Sequence, residues 1–113
     1  MELDEAPLAA CEREVKEELG FSPRIGRLLC VDWVPPAPPW DGGLMFLFDG
    51  GTLTAEQIAG IRLRPEELDR YDFVALDALD EVVVPRLARR VAACLRARKG
   101  GGGVYLEDGA ASL

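Results

Sequence analysis

The run "PLAACEREVKEELGF", Pro7 to Phe21, constrains the fold more than any other stretch. Leu8, Cys11, Val15 and Leu19 recur at the spacing of one helical face, and such a stripe is expected to face a core. The helix is predicted from Ala6 or Pro7 to Leu19. Proline suits a first helical position, because the N–H it lacks has no partner there anyway. Ala6 then falls at the cap, a weak choice where Ser, Thr or Asp is preferred. The far end is better signalled: Gly20 can take the left-handed conformation, and Phe21 can fold back onto the last turn.

Further along, "RLLCVDWV" reads as a strand ending near Trp33, and "LMFLF", Leu44 to Phe48, as a second. Between them "PPAPPWDGG" is a stiff loop ending in a turn. Thr54 with Gln57 three residues on is a capping-box pattern, so "TAEQIAG" is predicted to form a short helix. "GIRL" and "YDFVAL" are further short strand candidates. From Pro85, "PRLARRVAACLRAR" places Leu87, Val91 and Leu95 at i, i+4 and i+8, a second amphipathic helix over about 85–99. Residues 100–113 read as a glycine-rich hinge and tail. Strands with helices on either side of them in the chain imply a mixed α/β sandwich. At 113 residues the chain is one small domain with one modest core.

Composition narrows the chemistry. The net charge of −7 opposes wrapping a long nucleic acid, since phosphate repulsion would have to be overcome locally. Small anionic substrates fit, because a bound divalent cation can invert the sign of a site. Cys11, Cys30 and Cys94 are odd in number and scattered, with no CxxC pair, which suits reduced thiols in a cytoplasmic protein. There is no histidine, so no imidazole base, nucleophile pair or metal ligand is available. No apolar run reaches membrane-spanning length, and "MELDEAP" is not a signal peptide.

On the first helix Glu14, Glu17 and Glu18 share an arc of about 100° beside the apolar stripe. Glu12 and Lys16 form the favourable i,i+4 pair of a solvated face. Like charges this close repel, so the cluster has two readings. It is a solvated acidic edge with Arg13 and Glu17 as an ordinary salt bridge, or its three carboxylates bind a hard divalent cation that takes oxygen ligands.

Glu5, seven residues, then Arg13-Glu14-Val15-Lys16-Glu17-Glu18-Leu19-Gly20-Phe21 resembles the signature of the Nudix hydrolases. That signature is a glycine, five residues, Glu, seven residues, then Arg-Glu-aliphatic-x-Glu-Glu-x-Gly-aliphatic. The fixed positions match from Glu5 onward, with aromatic Phe21 at the last one. Such a match is far more specific than a lone glycine motif. "RPEELDRYDFVALDAL" and the helix after it also resemble the second half of that fold. The resemblance implies an α/β (α+β) class, a Nudix-like mixed-sheet α/β/α sandwich lacking its first strands, over residues 1–99. The signature's first glycine would fall before Met1. The chain therefore reads as an N-terminally shortened member, whether by a misplaced start, trimming or true truncation. An unpaired sheet edge would favour a homodimer.

The activity implied is Mg²⁺-dependent hydrolysis of a phosphoanhydride in a nucleoside diphosphate linked to another moiety. By the matched positions Glu14, Glu17 and Glu18 would ligate Mg²⁺ or Mn²⁺, with Glu14 also the base. Arg13 would orient Glu17 or Glu18 through a charge-assisted hydrogen bond. Gly20 is a helix stop, and Glu5 a member of the local network. Glu66 and Glu67 fall where the family often places an extra acidic group; Glu67 is either catalytic or simply favourable charge at a helix N-terminus. Trp33 and Trp40, flanking the proline loop, either stack on a nucleobase or fill the core or a loop base. The alternative function is a Nudix-fold nucleotide-binding or regulatory module without turnover. A third reading is an α/β domain whose acidic helix merely faces solvent.

Overall fold

Pro7 opens the first helix where the apolar period places it (α1, Pro7–Leu19) in a computed structural model that describes residues 4–63 and 70–111. The chain divides into two units, one made of Met1–Gly26 and Gly50–Phe73, the other of Arg27–Asp49 and Val74–Leu113.

In the first unit Ala6 stands at the helix cap with no side-chain cap bond. Gly20 closes the helix at φ 83°, its N–H donating to the Lys16 carbonyl at 2.9 Å. The carbonyl of Leu19 accepts from the Arg62 N–H at 2.7 Å. A Cβ on Gly20 would lie 2.7 Å from the Arg62 Cβ, so this position needs glycine for space as well as for its left-handed backbone. The expected apolar stripe is only partly covered. Ala10 is the buried residue of α1, whereas Leu8 is 42% exposed. The Glu12–Lys16 pair does not form among the described residues, and Arg13 instead gathers the carboxylates. The second helix (α2, Ala55–Ala59) carries the full capping box: the Gln57 N–H donates to Thr54 Oγ1 and the Thr54 N–H to Gln57 Oε1.

Neither short strand candidate is a strand. Residues 61–63 spend the Arg62 N–H on the end of α1, as a single bond rather than a ladder. Residues 71–75 are irregular, and a 3₁₀ turn comes next at Leu76–Glu81. The aromatic pattern of "YDF" is used locally, Tyr71 and Phe73 meeting edge to face at 5.9 Å.

The second unit is a four-stranded mixed sheet in the order β2-β1-β3-β4 with one long helix against it. Strand β1 (Leu28–Val34) pairs antiparallel with β2 (Gly43–Phe48), from Val34↔Gly43 to Leu28↔Phe48, with a register shift between Leu28 and Cys30. On its other side β1 pairs parallel with β3 (Val104–Glu107), which in turn pairs with the two-residue β4 (Ala110–Ala111). The reading of 100–113 as hinge and tail is therefore corrected. Gly101, Gly102 and Gly103 all have positive φ, and a Cβ on Gly102 would meet the Leu28 carbonyl oxygen at 2.6 Å. The glycines form a defined turn, and it delivers the chain into β3, an internal strand of the sheet.

Helix α3 (Pro85–Gly100) supplies the crossover that a parallel β1–β3 pair requires. Its buried residues are Arg90, Ala93, Cys94 and Ala97, while Leu95 is 38% exposed. The expected Leu87, Val91, Leu95 stripe thus lies roughly 110° around the helix from the buried face, at 100° per residue. Two causes act together. Small side chains let α3 approach the sheet closely, and Arg90 is drawn inward by a buried carboxylate on β1. That carboxylate, Asp32, is wholly buried; it accepts from Arg90 Nε at 2.5 Å and from the Gly109 N–H at 3.0 Å. Around it the core comprises Leu29, Cys30, Ala93, Cys94, Ala97 and Leu106, with Leu47 and Val104 packed against it. Burying Leu106 alone stabilises the unit by about 1.5–3 kcal/mol. No helix among the described residues is long and apolar enough to cross a membrane.

Candidate active site on the first helix

Arg13 organises the acidic edge of α1. Its Nε donates to Glu5 Oε2 at 2.7 Å and its NH2 to Glu5 Oε1 at 3.0 Å, a two-pronged pair across eight residues. Its third nitrogen, NH1, lies 3.3 and 3.2 Å from the two oxygens of Glu17. Glu14 Oε1 stands 3.6 Å from NH2. One guanidinium therefore ties the chain ahead of the helix to its second and third turns. The hydrogen bonds it donates to Glu5, then to Glu17, hold the Arg13 pKa above its ordinary value. Glu18, on the same edge, is exposed and takes no ion pair among the described residues.

The neighbouring thiol feels this acidity. Burial raises the Cys11 pKa first, and the charges of Glu14 and Glu12 raise it further. Cys11 is accordingly a poor nucleophile despite its place beside the acids.

The structure gathers some of the sequence-predicted residues and leaves others apart. Glu5, Arg13, Glu14 and Glu17 are brought together, and the Arg13–Glu17 salt bridge is present. Glu14, Glu17 and Glu18 share the helix edge, but among the described residues no three Asp, Glu or Cys side chains converge to hold a metal ion. Arg13 is the reason for Glu17, whose carboxylate faces the guanidinium. The donor set itself suits a hard divalent ion: oxygen only, i, i+3, i+4 on one helix, with Glu14 and Glu17 half-exposed and able to turn. Glu66 and Glu67 lie outside the described residues. Trp33 and Trp40 belong to the second unit. Trp33 sits in β1 opposite Leu44 and is 40% exposed, and Trp40 ends the proline loop at 75% exposed, so neither fills the core.

Two features escaped the sequence reading. Asp32 interrupts an otherwise apolar strand, and a charge in such a place signals a buried partner. "EDGA" carries the Asp-Gly dipeptide of a two-residue hairpin, and Asp108 and Gly109 both take positive φ there.

A small mixed α/β protein with an arginine-clamped acidic helix is the class that this fold and site define. The chain belongs to the Nudix family: the NUDIX domain model matches residues 1–97. The family comprises pyrophosphohydrolases of small nucleotide-like substrates that generally use divalent metal ions. Strands β3 and β4 lie beyond the matched residues. No curated protein and no solved structure matches the chain significantly.

Proposed function

We propose that the chain hydrolyses a phosphoanhydride bond in a nucleoside diphosphate linked to another moiety, with Mg²⁺ or Mn²⁺ as the cofactor. The observation that carries this reading is the Arg13 clamp on an edge bearing Glu14, Glu17 and Glu18. Folding alone gives no reason to concentrate three carboxylates there, since like charges at these spacings each cost a few tenths of a kcal/mol. Glu14, Glu17 and Glu18 are the residues that would hold the ion. When bound, such an ion neutralises phosphate charge and acidifies a bound water.

The protein's own groups do the rest. Glu14 accepts the proton of the attacking water. Arg13 fixes Glu17 on the helix edge, and Glu5 holds Arg13 from the opposite side. Gly20 ends the helix, so the acids sit on a rigid last turn and a half. Glu67 adds a carboxylate to the reaction, and of the two tryptophans Trp40, the more exposed, supplies an aromatic face for the base. Three free cysteines suit a cytoplasmic setting.

Substitution of Glu18 tests the reading. Glu18→Gln keeps the shape and removes one ligand charge. Mg²⁺-dependent release of phosphate or nucleoside monophosphate from a panel of nucleoside diphosphate derivatives should fall by about 100-fold or more, the scale seen when one electrostatic stabiliser is removed. Turnover close to the unsubstituted level would overturn the assignment.

A further inference from the structure

The end of the proline loop and the start of β2 enclose a cleft of about 310 Å³. Its lining is mostly apolar, from Val34, Trp40, Leu44 and Met45, with Asp41, Gly42 and Gly43 completing it. A Cβ on Gly43 would meet nothing within 4 Å, so the space above that residue is open. Asp41 is the one ionisable residue among the lining groups. It is exposed, and among the described residues no hydrogen bond or ion pair occupies its carboxylate. Trp40 is 75% exposed and its indole is in no ring stack among the described residues.

Small-molecule sites begin at about 300 Å³, so the cleft holds one ring system rather than a whole nucleotide. With no cation in the lining, it cannot retain a phosphate. An exposed indole face attracts a planar ring of any sequence, because every base offers a π-face. A free carboxylate is acceptor-only with two oxygens, so it selects for two neighbouring N–H donors on one edge. Among the bases guanine presents that edge, through N1–H and the N2 amino group. Adenine sets its N1 lone pair beside its amino group and would face the carboxylate with a repulsive acceptor. We propose that this cleft takes a guanine base, stacked on Trp40 and read by Asp41. The proposal rests on the reading of the chain as acting on nucleotide derivatives and names which of them it prefers. Trp33, on β1 opposite Leu44, is not part of the lining.

Binding can be measured without turnover, by titrating GMP, IMP and AMP into the ¹⁵N-labelled full chain in EDTA. The three ligands share ribose and phosphate, so differences report the base. GMP should move the Trp40 indole N–H and the backbone amides of residues 41–45, and bind about 5- to 100-fold tighter than AMP, the discrimination of one two-pronged pair. IMP, which keeps N1–H and lacks the amino group, should fall between them. Asp41→Asn should bring GMP down to the AMP level. Trp40→Ala should weaken all three about 5- to 100-fold, while Trp40→Phe retains most of the affinity. Equal affinity for GMP and AMP, unmoved signals at 40–45, or unchanged GMP binding by Asp41→Asn would each overturn the proposal. Failure of hydrolysis leaves this titration untouched. Hydrolysis without shifts at Trp40 sinks the base assignment alone.

Discussion

Arg13 carries more structure than its neighbours because it is shared. A lysine could satisfy one carboxylate as a point charge, but only a planar fork meets Glu5 with two bonds while a third nitrogen serves Glu17. Arg13→Lys should therefore reduce Mg²⁺-dependent hydrolysis by about 10- to 100-fold, as loss of a group that orients ligands does. Its melting temperature should shift by only a few degrees, since the cluster is largely exposed. Kinetics alongside a thermal melt would check the split. A second residue-level expectation concerns Cys94, whose thiol burial pushes up to about 12, with a hydrogen bond donated to Cys30 adding to the effect. The unfolded thiol ionises near 9.0 while the folded one keeps its proton, so above that pH the native state binds more protons. Stability from this group is complete below pH 9 and declines as pH rises towards 12. Urea melts across that window should show a slope that Cys94→Ala reduces, and alkylating reagents should leave Cys30 and Cys94 unmodified in the folded protein.

At the level of elements, the decisive interaction is the one that turns α3 onto the sheet. Asp32, Arg90 and the Gly109 amide tie a strand, a helix and a hairpin turn at one buried point. Removing one partner leaves a charge without compensation and costs about 3–5 kcal/mol. Arg90→Met should thus lower the melting temperature by roughly 12–20 °C, at about 4 °C per kcal/mol for a chain of this size. Asp32→Leu with Arg90→Met should recover much of that loss in the same calorimetric scan. This interaction also explains where sequence reasoning stopped. Both α1 and α3, the capping box at Thr54, and the strands β1 and β2 obey local rules of period, cap and turn, and each stands where it was expected. The buried face of α3 does not, because it answers to a carboxylate 58 residues away. The strand candidates at 60–63 and 71–76 failed for a related reason: a short apolar run is a strand only if an edge is available to it. For the site, helical spacing grouped Arg13 with Glu14 and Glu17, the Nudix resemblance added Glu5, and the four side chains do lie together. The Trp40–Asp41 cleft was invisible, since it depends on two positive-φ glycines, Gly42 packing against the Val34–Pro36 backbone.

For the molecule as a whole, the family match ends at residue 97 while the sheet continues to residue 111. Strand β3 stands between β1 and β4, and its Leu106 is fully buried. Ending the chain after Lys99 would strip β1 of its parallel neighbour and Asp32 of its amide donor. The shortened protein should lose cooperative unfolding by circular dichroism and gain dye-binding apolar surface. The β1 amides, Leu28–Val34, should then exchange rapidly with deuterium and be slow to exchange in the full chain.

The parallel β1–β3 pair joins Cys30 to Val104, partners that are far apart along the chain. During synthesis β1 is made early, and β2 can fold back on it at once, but the other side of β1 has no neighbour until Val104–Glu107 has left the ribosome. Through that interval Asp32 has no amide to face and the apolar edge of β1 is open to other chains. A pairing of such high sequence separation forms late, so the exposure of β1 to aggregation is governed by how promptly β3 reaches the strand that waits for it.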